Sequence, residues 1–363
     1  MITQIQLRNF KCFRNLTLPL TGLNLLAGSN GMGKSSILQS LLLLRQSEFA
    51  LRGQNLSLAG PLVDLGTPDD LLFEFSDTAE LGICWQTETA LYDWSFDLGD
   101  NHSRWLNPET LSSPDQQCLF GKDLCYLSAD RLGPQHAYPL ANSFDNNRLG
   151  VRGEYTAHYL TVHGDDLLSP EICQTGLSRS LLTQVQSWLS CVCPGISVVV
   201  NTDKLMESAS LAYSFPVKER HPRTRAYKSG QVGFGISYAL AVIVAILTAK
   251  PGSLTLIENP EAHLHPRGIS KLGELLALVA RAGSQFVVES HSDHLLNGIR
   301  VAVKQGKVAP EQVGLAFFEP SPNFDTEGLR AVRNIKVRQD GRLDHWPDGF
   351  FDEWDRNLDE LLT

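Results

Sequence analysis

One short stretch constrains this chain more than any other: Gly28-Ser29-Asn30-Gly31-Met32-Gly33-Lys34-Ser35. It fits the pattern G-x-x-x-x-G-K-[ST]. The apolar run at 23–27 reads as a buried strand, and 36–44 as an apolar-faced helix. Strand, glycine loop and helix, in that order, are the context in which this pattern acts as a phosphate-binding loop. The glycines let backbone N–H groups converge on phosphate oxygens without side-chain obstruction. The helix N-terminus adds a partial positive charge. Gly28, Ser29, Asn30, Gly31, Gly33 and Ser36 are therefore expected around the phosphates, with Lys34 reaching the β- and γ-phosphates and the Ser35 hydroxyl on Mg²⁺.

The chain has 363 residues, room for two or three domains. Its apolar share of 42% suits a folded core. The longest apolar stretch, 238–249, is too short to span a bilayer, so no membrane partner is expected. Met1-Ile2-Thr3-Gln4 shows neither a basic leader nor a secretory core. Seven cysteines are scattered without a C-x-x-C pair, which argues against a zinc site or disulfide framework and for a reducing cytoplasm. A formal charge of −9 is unlike that of a general polyanion binder.

Residues 2–10 alternate roughly between apolar and polar, as a half-buried strand does. Further strands are expected at 16–20, 81–85, 92–96, 124–127, 196–201, 208–215, 254–257, 285–288, 313–318 and 331–338. Helices are expected at 177–189, 235–248, 269–281 and 293–303. Residues 101–115 read as an exposed connection, and 138–169 show little periodicity. The alternation predicts an α/β protein with a mostly parallel core sheet, an antiparallel N-terminal side sheet and an inserted α+β region. The expected division is an N-terminal lobe at 1–137, the insertion at 138–228, a C-terminal lobe at 229–320, and a strand with an aromatic, acidic tail at 321–363.

A phosphate loop needs a magnesium carboxylate at the end of a nearby strand. Leu254-Thr255-Leu256-Ile257-Glu258-Asn259-Pro260-Glu261 supplies an apolar strand ending in acid. Glu258 is expected to hold Mg²⁺ through water, and Glu261 or Asn259 to orient the attacking water. His263 and His265 read as part of a turn rather than a metal site, since no other ligands accompany them. Gln285-Phe286-Val287-Val288-Glu289-Ser290-His291-Ser292-Asp293 is a second buried strand opening into polar residues at a helix start. His291 is expected to contact the γ-phosphate and report its loss. A Ser-His-Asp hydrolase is excluded because the three residues are nearly consecutive and no G-x-S-x-G elbow exists.

Four segments together resemble the ABC-type ATPase heads: Phe10-Lys11-Cys12-Phe13, the loop from Gly28 to Ser36, Ile257-Glu258-Asn259-Pro260-Glu261-Ala262-His263-Leu264-His265-Pro266, and Glu289-Ser290-His291-Ser292-Asp293. Within that group they are similar to prokaryotic AAA-type ATPases related to the RecF, SMC and OLD families. The resemblance implies an ABC-ATPase-like P-loop head, with ATP and Mg²⁺ as cofactors. It also implies a homodimer or higher even oligomer in which two heads sandwich two nucleotides. One head offers the phosphate loop and its twin a Ser/Gly signature. The signature candidate is Ser229-Gly230-Gln231-Val232-Gly233-Phe234-Gly235-Ile236-Ser237, with Gly233, Gly235 and Ser237 as contacts. It departs from the usual Leu-Ser-Gly-Gly-Gln. The usual Asp-Glu pair is Glu258-Asn259 here, and an amide cannot accept a proton as a carboxylate does. Gln135 is the candidate for the magnesium-sensing glutamine. No heptad arm and no appended nuclease domain are evident.

The one concentrated basic run holds Lys218, Arg220, Arg223, Arg225 and Lys228, which fit either nucleic-acid backbone or a solvated loop. The tail Trp346-Pro347-Asp348-Gly349-Phe350-Phe351-Asp352-Glu353-Trp354 resembles a C-terminal module found on a subset of these ATPases, often encoded beside effector genes in defence loci. Its aromatic residues suit docking on the core or on a protein partner. The expected function is ATP hydrolysis coupled to dimerisation, regulating or assembling with a nuclease or toxin effector in antiphage defence. The alternatives are a DNA repair or maintenance ATPase of RecF or SMC type, and an ATP-bound scaffold with negligible turnover.

Overall fold

The alternation at the N-terminus is a strand, β1 (Ile2–Phe10), which buries Ile2, Ile5, Leu7 and Phe10. It runs antiparallel to β2 (Phe13–Pro19). The computed structural model describes residues 1–47, 56–97, 105–110, 118–142, 148–203, 205–217 and 223–362. The chain divides into two units, Met1–Gly121 with Pro310–Thr363, and Lys122–Ala309.

In the first unit, β3 (Leu23–Gly28) leads to the helix Lys34–Gln46. β4 (Leu56–Ser57), β5 (Glu80–Thr87), β6 (Leu91–Asp97) and β7 (Trp105–Thr110) complete an antiparallel sheet in the order β2-β1-β5-β6-β7-β4. Trp85 and Trp94, both buried, stack with ring centroids 6.1 Å apart on this sheet. β7 lies where an exposed connection was expected. Trp105 and Leu106 are strand-forming residues, and the register shift between Ser95 and Phe96 accommodates the pairing of Phe96 with Pro108, which has no N–H to offer.

Later strands of the chain are numbered from β8 (Cys125–Leu127), β9 (Tyr138–Pro139), β10 (Ser197–Asp203), β11 (Ser208–Ser214), β12 (Tyr227–Lys228), β13 (Leu254–Glu258) and β14 (Gln285–Glu289) to β15 (Val313–Pro320) and β16 (Arg330–Ile335). In the first unit β15 runs parallel to β3 and antiparallel to β16. Phe350 of the tail is buried 5.2 Å from the Phe317 ring, so the tail docks on its own unit while Trp346 stays 42% exposed. The helix Glu353–Leu362 was not foreseen in that aromatic, acidic stretch.

In the second unit β13 lies between β8 and β14, parallel to both. A separate antiparallel sheet runs β10-β11-β12, with β9 also on β11. The helix Thr156–His163 stands where periodicity was weak, being only eight residues long. The helix Phe234–Leu247 is buried on every side from Ala239 to Leu247, as its uniformly apolar sequence requires. The helix Pro266–Arg281 begins with proline in the first turn and His265 at its N-cap, and buries Ile269, Leu272, Leu276 and Val279 on one stripe. It crosses the helix Asp293–Lys304 closely: a Cβ on Gly298 would lie 2.1 Å from the Ser270 carbonyl oxygen. The whole is the expected mixed α/β class, with parallel pairing at the motif-bearing strands and antiparallel side sheets.

Candidate functional site

The phosphate loop is built as its sequence implies. Leu23, Leu25, Leu26 and Ala27 of β3 are buried, and Gly28 ends the strand at φ +136°. A Cβ at Gly28 would sit 2.4 Å from the Phe318 carbonyl oxygen of β15. Gly31 has φ +74°, and Gly33 at φ +92° is the N-cap of the helix Lys34–Gln46. A Cβ on Gly33 would meet the Cys12 sulfur at 2.5 Å and the Phe13 ring at 2.7 Å. The β1–β2 turn is thus the floor on which the loop rests.

The Lys34 ammonium is buried and donates to the carbonyls of Gly28 at 2.9 Å and Ser29 at 2.8 Å. The Arg330 Nε donates to the Gly31 carbonyl at 3.2 Å. The helix has no side-chain cap and no acidic residue in its first turn. Its amide ends and the Lys34 charge form an anion-binding arrangement. Ser36 is buried and Ser35 half-buried, while Ser29, Asn30 and Gly31 face solvent. Nearby, burial holds the Lys11 ammonium below and the Cys12 thiol above their ordinary pKa values.

The acidic turn belongs to the second unit. Glu258 is the last residue of β13, and both its carboxylate oxygens accept a hydrogen bond: Oε1 from the Tyr126 hydroxyl and Oε2 from the Ala129 N–H, each at 3.0 Å. Burial first, then the Glu258 charge, pushes the Tyr126 phenol well above its usual pKa. Glu258 pairs in register with Glu289, the buried last residue of β14. Asn259 has φ 44°, and its N–H donates to the Glu289 carbonyl at 2.8 Å. The His291 N–H donates to Glu261 Oε1 at 2.7 Å, while the His291 side chain is exposed. The structure therefore brings Glu258, Asn259, Glu261 and His291 together at the C-terminal ends of adjacent parallel strands.

The glycine stretch is split in its surroundings. Gly233 is the N-cap of the helix Phe234–Leu247, with nothing among the described residues within 4 Å of a built Cβ. Gly235 lies inside the helix, where a Cβ would be 2.4 Å from the His263 carbonyl oxygen. Ser237 is buried. His263 packs edge-on to Tyr238 at 4.9 Å, and His265 accepts from the Arg267 N–H as a cap. Gln135 is exposed. In the basic run, Lys218 and Arg220 lie outside the described residues. Arg223 bonds the Gly195 and Ser214 carbonyls, and Arg225 covers the Tyr227 ring at 5.3 Å. Lys228 is exposed.

Sequence reading passed over Arg131, Tyr126 and Glu289. Glu289 ends its strand as Glu258 ends the preceding one, which was a usable signal. Arg131 is 1% exposed and donates to the carbonyls of Ser128, Glu258 and Asn259, partners that no spacing rule connects.

The residues fit a nucleotide and a divalent cation. A glycine-lined cradle that a Cβ would fill is present at Gly28 and Gly33. Glu258 is oriented by neutral donors, leaving lone pairs for a cation or its water. Asn259 Oδ1 and Glu261 Oε2 are buried acceptors without a hydrogen-bond partner among the described residues.

The fold is that of an SMC head domain. The SmcHead solved bound to the C-winged helix domain of ScpA superposes with a TM-score of 0.51 at 13% identity, covering 93% of this chain and 98% of that one. The SMC head domain from Thermotoga maritima gives a TM-score of 0.45 at 12% identity over 93% and 99% of the two chains. An Smc head with extended coiled coil, bound to the C-terminal domain of ScpA derived from Pyrococcus furiosus, gives 0.49 at 13% over 100% and 99%. Two segments match models of AAA-type ATPase domains. Residues 1–88 match "AAA ATPase domain", and residues 206–297 match "AAA domain, putative AbiEii toxin, Type IV TA system". Residues 308–361 match "Protein of unknown function (DUF3696)". No curated protein matches the chain.

Proposed function

We propose that this chain binds ATP with Mg²⁺, hydrolyses it, and closes as a dimer around the nucleotide to regulate a nuclease or toxin effector in antiphage defence. The observation that carries the ATPase reading is the loop Gly28–Ser36 at a strand-to-helix junction, its Lys34 ammonium already drawn to the loop carbonyls. The match of residues 1–88 to an AAA ATPase domain supports it. That the loop and the acidic turn serve one nucleotide is what the resemblance to ABC-type heads implies.

Each residue has a stated task. Lys34 exchanges its carbonyl partners for phosphate oxygens, and the helix N-terminus adds its partial positive charge. By the resemblance to ABC-type heads, Ser35 and Glu258 would both serve Mg²⁺, which would neutralise charge on the β- and γ-phosphates. Tyr126 and Ala129 fix the Glu258 carboxylate. Glu261, anchored on one oxygen by the His291 N–H, accepts the proton of the attacking water on the other; Asn259 orients that water. His291 senses the γ-phosphate. Gly233, the open member of the glycine trio, is the contact offered to the twin head.

The effector class is supported by the toxin named in the description of the 206–297 match. A maintenance role of RecF or SMC type is favoured by the SMC-head fold. A slow or inert scaffold is favoured by an amide at Asn259 where these heads place a glutamate. Equilibrium ATP binding, phosphate release and sedimentation on Lys34→Ala, Glu261→Gln and His291→Ala test the proposal. Lys34→Ala with undiminished affinity and turnover would overturn the site. DNA-stimulated turnover favours maintenance. ATP-dependent co-purification with a neighbouring gene product, without DNA stimulation, favours the effector.

A further inference from the structure

Arg131 sits behind the acidic turn, 1% exposed, in the segment Ser128-Ala129-Asp130-Arg131 that follows β8. Its guanidinium makes no ion pair among the described residues. NH1 donates to the Ser128 carbonyl at 2.9 Å and the Glu258 carbonyl at 2.6 Å, and NH2 donates to the Asn259 carbonyl. Its charge centre lies 5.2 Å from the Tyr238 ring centroid. Burying a cation against neutral carbonyls is costly, and an apolar side chain would fill this volume more cheaply. What an apolar residue cannot do is bind three carbonyls in a fixed fork.

Those carbonyls are well chosen. One is the backbone carbonyl of Glu258, whose side chain is the magnesium carboxylate, one that of the left-handed residue after it at φ 44°, and one that of Ser128 beside Ala129, whose N–H holds Glu258 Oε2. Burial pulls the Arg131 pKa down to about 10, so the group stays charged near neutrality. Tyr238, which the guanidinium covers, is in turn met edge-on by His263, a second left-handed residue of the same turn at φ 63°. The N-terminal part of the helix Phe234–Leu247 thus buttresses the arginine through Tyr238, and Phe234 at its exposed end lies against Gly133, where a Cβ would be 2.7 Å from the ring.

We propose that Arg131 is a positioning residue for the magnesium carboxylate: by tying together the carbonyls of Ser128, Glu258 and Asn259 it fixes the direction of the Glu258 carboxylate and the Asn259 side chain. This rests on the ATPase reading of Glu258. Arg131 touches neither nucleotide nor metal. Its effect is on how well a divalent cation is held, not on the phosphate loop.

The test is binding of a fluorescent ATP analogue, in EDTA and across a magnesium series, to the wild-type chain, Arg131→Met and Arg131→Lys. Removing an outer support of a metal site weakens cation affinity about 10–100-fold. The expected result for Arg131→Met is therefore a magnesium midpoint raised about tenfold or more, with EDTA affinity unchanged. Arg131→Lys keeps the charge without the fork and shifts the midpoint in the same direction. If Arg131→Met does not fold, Arg131→Lys decides alone. A variant that is folded by near-UV circular dichroism and has the wild-type midpoint overturns the proposal. A wild-type chain that binds no nucleotide in any magnesium concentration overturns the ATPase reading instead.

Discussion

Gly28→Ala is expected to destabilise the first unit severely, and the size follows from two features of one position. At φ +136° a residue with a Cβ is strained by about 1–3 kcal/mol. The new methyl carbon would also lie 2.4 Å from the Phe318 carbonyl oxygen, a backbone atom in the parallel partner strand. Displacing that strand adds an overpacking cost of about 1–3 kcal/mol. The reduced freedom of the unfolded chain returns about 0.5–1 kcal/mol, leaving a net loss near 3 kcal/mol. With a urea slope of about 2 kcal/mol per molar, the midpoint falls by about 1.5 M. Fluorescence of the buried Trp85 and Trp94 reports on this unit. Gly31→Ala is the internal control: at φ +74° with nothing within 4 Å, it carries only the left-handed cost of about 1–2 kcal/mol. A Gly28→Ala midpoint no lower than that of Gly31→Ala would refute the reasoning.

Glu261→Gln is expected to lower phosphate release about 10²–10⁴-fold while ATP affinity is retained, because an amide cannot take the proton; unchanged turnover in an active wild type would assign the base elsewhere. Gly298→Ala places a Cβ 2.1 Å from the Ser270 carbonyl oxygen, so the second unit should lose about 2 kcal/mol, read by urea unfolding through the buried Trp188. Glu274 pairs with Lys271 on its own helix and with Lys307, just past the end of the helix Asp293–Lys304. Burial pulls its pKa up, but the two lysines win and hold it below its ordinary 4.5. Its contribution, about 1 kcal/mol since both lysines are partly exposed, is complete above pH 4.5 and lost as pH falls through the lower folded value. Glu274→Gln should therefore be less stable than wild type at neutral pH and equal to it in strong acid, measured by thermal unfolding across pH.

What was legible in the sequence was what is local. The loop Gly28–Ser36 carries its own strand, glycines and helix start, so its form followed from consecutive residues. The strand ending at Glu258 was legible as a short apolar run closed by acid, and the one at 285–288 as a buried run opening into polar residues. The mixed α/β class followed from their alternation with helices. The strand β7 was hidden because Pro108 and the polar residues around it break the alternation expected of a strand. The glycine stretch at 229–237 could not be resolved from sequence, because a glycine required for packing against His263 and one open to solvent look alike in text. Arg131 was hidden for a different reason: its partners are backbone carbonyls, which every residue type possesses, on a turn more than a hundred positions later.

The left-handed backbone at Asn259 separates shape from chemistry at one position. Asparagine tolerates that conformation better than glutamate does, since its short amide can satisfy itself locally. An Asn259→Glu replacement meant to restore a second proton acceptor would also have to bend the peptide that Arg131 and Glu289 hold from either side. Such an exchange would deform the turn that carries Glu258, so placing a carboxylate at position 259 requires a redesigned turn rather than a single substitution.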